Sequence, residues 1–226
     1  MKPVALLAPL VVTGALLAAP AAKDKGFFPI EIQKQGNKEL TSNFAGGDET
    51  NHLKDFPTGE KTLADVPYTI GKKLIMLGSK AQKEEPAKVE GIPVGRAANK
   101  LHFLHANGYG GGPNAEGSDL HVKDGTTIGS YVIHYEDKTT AEMPIVYGEH
   151  TRDWFFVEGE AEPSKAKVAW TGENKFATDR GSKIRVYRMT WDNPNPTKKI
   201  VSIDLTGRKE ETVGAPFVIA ITVEVK

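Results

Sequence analysis

The chain has 226 residues with 29 Lys+Arg against 29 Asp+Glu, so no global field steers it toward nucleic acid or anionic lipid. Cysteine is absent, which excludes disulfides, thiolate metal sites, cysteine nucleophiles and a lipid-modified cysteine. The chain must therefore be held by its own core, and about 200 residues can bury one as one large or two small domains.

In chain order, residues 1–22 read as a signal peptide. Lys2 supplies the positive start, "VALLAPLVVTGALLA" the apolar middle, and "APAA" a small-residue cleavage site after Ala21 or Ala22. Pro9 and Gly14 interrupt the stretch, which falls short of the roughly 20 apolar residues of a membrane span. No later run is apolar enough to span. The expectation is an exported protein, secreted or held in the periplasm or at the cell surface.

Residues 23–43 form a lead-in, with one strand expected in "FFPIEIQKQGNKEL". The following "TSNFAGGDETNHLKDFPTGEKTLADVPYTIG" is polar and turn-rich. It is expected to be mostly irregular, and a loop that long either binds something or wraps the core. From there on, Gly (23) and Pro (14) punctuate short segments and leave no room for long helices. Strands are predicted at "KKLIMLG", "KLHFLHA", "KVAWTG", "KIRVYRMTW", "KIVSIDLTG" and "FVIAITVEV". "SYVIHYEDKTTAEMPIVYG" reads as a hairpin turning at "EDKT", and Pro144 in its return strand predicts an edge or a bulge. The terminal "APFVIAITVEVK" is apolar enough for the middle of a sheet. Many short strands with regular turns predict an all-β antiparallel sandwich: one domain over residues 44–226, with a partly irregular N-terminal segment wrapped on it.

The succession "DFPTGEKTLADVPYTIG", "KLHFLHANGYG", "GSYVIHYEDKTTAEMPIVYG", "YRMTWDNPNPTKKIVSIDL" and "APFVIAITVE" resembles the galactose-binding-like jelly rolls. It is most similar to those of exported bacterial proteins related to the carbohydrate-binding modules that accompany glycoside hydrolases. The resemblance covers roughly Phe44 to Val225, and the order of motifs carries it rather than any single one. It implies a sandwich of two antiparallel sheets, a structural calcium ion, and glycan binding without catalysis at loops or on one sheet face.

The candidate contact residues lie after the hairpin. "YGEHTRDWFFVEGEAEP" brings Tyr147, Arg152, Asp153 and Trp154 into one polar-aromatic stretch, and "KVAWTGEN" adds Trp170 and Asn174. Sugar binding needs an aromatic face for C–H groups and charged or amide groups for hydroxyls, and these stretches offer both. The competing reading is an Arg–Asp surface pair beside a half-buried Trp154, with Trp170 balanced between core and platform. Trp191 shares a face with Tyr187 and Met189 at the mouth of "DNPNPT", which favours a plug pinning that turn over a sugar platform. For calcium, "GGDETNHLKDF" offers Asp48, Asn51 and Asp55, with Glu49 alongside, as oxygen ligands; polar loop decoration competes with that reading. His102 and His105 are three apart and so face opposite ways on a strand, where they cannot share one ion. The expected function is an exported, non-catalytic carbohydrate-binding module. The alternative is a structural or protein-interaction module of the cell envelope, partnered by envelope proteins. A small hydrolase built from paired carboxylates is the third reading; no HExxH or Gly-x-Ser-x-Gly pattern points to it.

Overall fold

The computed structural model describes residues 25–111 and 118–226. The expected signal peptide therefore lies outside the described residues. The architecture is all-β, with antiparallel sheets packed as a sandwich.

The larger sheet runs in the order β10 (Phe155–Phe156), β12 (Lys183–Asp192), β7 (Lys100–Gly108), β14 (Ala215–Val225), β5 (Lys73–Met76) and β2 (Lys38–Glu39). Two more strands join it: β1 (Gly26–Ile30) on β14 and β11 (Ala166–Gly172) on β12. The smaller sheet is β6 (Lys88–Ala97), β13 (Lys199–Gly207), β8 (Thr127–Tyr135) and β9 (Thr140–Val146). A separate hairpin pairs β3 (Gly59–Leu63) with β4 (Val66–Ile70), and one short helix, α1, spans Lys175–Thr178. Pro144 sits in β9, an edge strand, where its missing N–H costs the ladder nothing.

Two apolar layers hold the sandwich. The first lies between the sheets, where Leu101, Phe103, Met189, Ile221 and Val223 meet Ile92, Tyr131, Ile133, Ile145, Ile203 and Leu205. Phe103 and Tyr131 stack across this layer at 3.9 Å. The second covers the outer face of the larger sheet. There Leu104, Ala106, Ile184, Val186 and Ile219 pack under Leu40, Phe44, Leu53 and Phe56 of the N-terminal segment and Val66, Tyr68 and Ile70 of β4. Both faces of β7 and β14 are thus buried, which is why β14 is a near-continuous apolar run, while β7 buries His102, His105 and Asn107 among its apolar residues.

The N-terminal segment wraps the core, but it is less irregular than expected. Its apolar residues are spaced to cap the outer face, and "GEKTLADVPYTI" closes a hairpin through positive-φ Ala64 and Asp65. The Thr222 hydroxyl ties that hairpin down by donating to the Pro67 carbonyl at 2.7 Å. Strand β6 lies in "KVEGIPVGRA", which the turn-rich composition hides. Gly91 and Gly95 adopt φ of +72° and +73°, and the β6–β13 ladder shifts register twice, as bulged strands do.

Trp191 is half-buried against the layer between the sheets, at the end of β12 where the Asn-Pro turn begins. His102 and His105 face opposite ways. His102 meets Thr190 and Glu224 on one face, and His105 meets Tyr131 and the His150 carbonyl on the other. Among the described residues no helix is long and apolar enough to cross a membrane.

Candidate functional site

The last residues of β7 and the stretch around β10 meet at the rim of the larger sheet. Asp153 bridges back to Asn107 there, and the Trp154 N–H donates to the Asn107 carbonyl at 2.8 Å. This pairing turns Asp153 and Trp154 inward. Trp154 is 1% exposed and packs on Phe155 at 4.8 Å and Phe44 at 5.1 Å. The expectation that Trp154 presents a surface platform is therefore corrected: its ring forms the base of the site and is closed to a stacking sugar.

Above it lies a cleft of about 490 Å³, walled by Tyr109, Phe155, Phe156, Phe176 and Leu120, with Asp153, Glu160 and Arg180 as its charged groups. Tyr109 closes the end of β7 in a left-handed conformation, φ +62°. Phe176 stands on α1 at 6.0 Å from Phe155, and the Arg180 guanidinium lies 3.5 Å over the Phe176 ring. The wrapping loop reaches the wall at Gly47, with Gly46 beside it in the chain. Both have φ of +79°, and a Cβ would meet the Tyr109 hydroxyl at Gly46 and the Phe176 ring at Gly47, each at 2.2 Å. A second depression of about 410 Å³ adjoins the cleft. His121, Asp124, Tyr147 and Arg152 line it, and it shares Val157 and Glu160 with the cleft.

The predicted contact residues separate into three groups. Asp153 and Trp154 reach the cleft. Tyr147 and Arg152 reach the depression beside it. Arg152 is not paired with Asp153, as the Arg–Asp reading has it, but forks onto Asp124 at 3.0 and 2.6 Å. Trp170 and Asn174 line neither hollow. The Trp170 ring is spent edge-on against Phe56 at 4.8 Å, and Asn174 caps α1 by accepting from the Ala177 N–H at 2.8 Å.

The residues expected to hold calcium have the following surroundings in the fold. Asn51 is buried, its amide donating to the Gly46 carbonyl at 2.8 Å and its oxygen accepting from Asn174 at 3.2 Å. Asp48 accepts from the N–H and hydroxyl of Thr50, and Asp55 is exposed. Among the described residues no three His, Asp or Glu side chains converge on a point that could hold a metal.

Two buried charged groups were missed in the sequence. Arg185 is 2% exposed, lies under the Phe156 ring at 4.7 Å, and pairs with Glu160 at 3.0 Å. An arginine sharing a strand face with Tyr187 and Met189 is the signal that could have found it, because a core-facing charge needs a partner.

Two buried groups respond to pH in opposite senses. Burial pushes the Asp153 carboxyl up to about 6, although the N–H groups of Phe155, Gly111 and Gly110 favour its charge. Burial pushes the His105 imidazole down to about 4. As pH falls from 6.5 to 4, the unfolded chain protonates at His105 before the folded one, and stability falls. As pH falls from 6 to 3.8, folded Asp153 takes its proton first, and stability rises. Each swing is about 3 kcal/mol, so between pH 4 and 6 the two offset each other. Urea midpoints across that range should show His105→Gln gaining on wild type as pH drops and Asp153→Asn losing. Parallel curves for all three proteins would contradict the assignment.

Compared with known proteins, the chain matches no family model and no curated protein.

Proposed function

We propose that this chain is an exported sandwich of the galactose-binding-like kind, which binds carbohydrate without transforming it, in the aromatic cleft around β10. The observation that supports the reading is the cleft's lining, in which half-buried Tyr109, Phe155, Phe156 and Phe176 stand beside Asp153, Glu160 and Arg180. Aromatic walls take the apolar faces of a sugar ring, and the few charged groups take its hydroxyls. Binding rather than hydrolysis is favoured because both carboxylates are already engaged. Asp153 is held by backbone N–H groups and Glu160 by Arg185. Neither stands free as a general acid or base.

The test is calorimetry against α- and β-linked oligosaccharides of glucose, galactose, mannose and xylose. Binding by the wild type should weaken about tenfold in Phe176→Ala, the order expected for losing one aromatic contact. Silence across the panel, with capture of envelope proteins instead, would replace this reading by that of a protein-interaction module.

A further inference from the structure

Of the three charged groups that line the aromatic cleft, two are enclosed and engaged. Asp153 is held by backbone N–H groups, and Glu160 is shut in against Arg185. The third, Arg180, is exposed. Local structure holds it in place. Gly181, at φ +68°, closes the turn after α1, with the Ser182 N–H on the Ala177 carbonyl and the Gly181 N–H on the Thr178 carbonyl, each at 3.0 Å. The Arg180 guanidinium lies flat on the Phe176 ring at 3.5 Å and donates through Nη1 to the Phe176 carbonyl at 2.9 Å. Acids close to it in the fold are occupied elsewhere: Asp179 pairs with Lys175 at 2.6 Å, and Asp48 accepts from Thr50. Among the described residues Arg180 has no ion-pair partner, so the rest of its N–H fork is open to a ligand.

That fork selects the ligand's chemistry. A guanidinium stacked on an aromatic ring is pre-organised, and its planar face of parallel N–H groups matches a carboxylate bidentately. A neutral hydroxyl uses less of the fork, and an amino sugar is repelled by its charge. The two enclosed carboxylates oppose an anion little, because Glu160 carries the counter-charge of Arg185 and Asp153 is faced by N–H groups. Resting on the carbohydrate reading, we infer that the cleft takes an acidic glycan built of uronate units, with Arg180 as the specificity-determining contact. Arg180 grips the uronate carboxylate while the sugar ring lies among the aromatic walls.

The test is calorimetry of wild type, Arg180→Gln and Arg180→Lys with uronate oligosaccharides, their methyl esters and sulfated neutral sugars, in dilute buffer and in high salt. Wild type in dilute buffer should bind the uronate about fivefold more tightly than its methyl ester, the order expected for an exposed ion pair. High salt should shrink that gap, because solvent-exposed charges are screened. Arg180→Gln should bring acid and ester to the same affinity, and Arg180→Lys should keep part of the gap, having the charge without the fork. Equal binding of acid and ester by wild type, or a gap that survives Arg180→Gln, overturns the inference and leaves the carbohydrate reading standing. Sulfated sugars bound more tightly than uronates overturn the carboxylate assignment, and no binding of any sugar removes both readings. Should Arg180→Gln fail to fold, the ester comparison and its salt dependence in wild type decide.

Discussion

Truncating Trp154 to alanine is expected to destabilise the protein by about 3–5 kcal/mol, the range for emptying a buried tryptophan site. Its indole sits between Phe44, Phe155 and Phe217, the last meeting it edge-on at 6.0 Å. Those rings belong to the wrapping segment, β10 and β14, so a cavity here loosens three pieces of chain together. Thermal unfolding should shift down by roughly 10 °C for a domain of this size. A shift of a degree or two, with folding intact, would mean that the ring is not the anchor of the rim. The variant should also lose ligand affinity, but as a consequence of a misplaced Phe155 rather than of a lost sugar contact.

Arg185→Met should cost a similar amount, about 3–5 kcal/mol, because it leaves the Glu160 carboxylate buried without its counter-charge. The side chains are 2% and 4% exposed, so solvent screens the pair little. The pairwise change Arg185→Met/Glu160→Gln should recover much of the loss, since it removes both charges at once. Urea denaturation of the four proteins closes the cycle. Additive losses would show that the two residues act independently and that the ion pair contributes nothing.

The strands were legible where pattern and burial agree. The "EDKT" turn, the edge position of Pro144 and the central place of "FVIAITVEV" all follow from turn chemistry, a missing donor and unbroken apolarity. Strand β6 was not, because Gly91, Pro93 and Gly95 imitate a loop while serving as bulges. The hairpin β3–β4 was hidden for a related reason. Every residue of β3 before Leu63 is exposed, so only β4 carries an alternating core face.

The site was only half legible. Trp154 follows Arg152 and Asp153, and polar neighbours suggest an exposed ring. The bridge to Asn107 reverses that by drawing the whole turn into the rim. Phe155, Phe156 and Phe176 look like ordinary core residues in sequence. What makes them walls is the gap between α1, β10 and the wrapping loop, and only tertiary packing creates that gap. Asn174 suggests a ligand amide by residue type alone, whereas its position before α1 and its bond to Ala177 make it a helix cap.

The most direct measurement is a ¹⁵N NMR titration of the chain with whichever oligosaccharide binds most tightly. Amide shifts should concentrate at Tyr109–Gly111, Asp153–Glu160 and Phe176–Ser182, the three segments that bound the cleft. Shifts gathered instead on the outer face of the smaller sheet, around His134 and Asp204, would contradict the account.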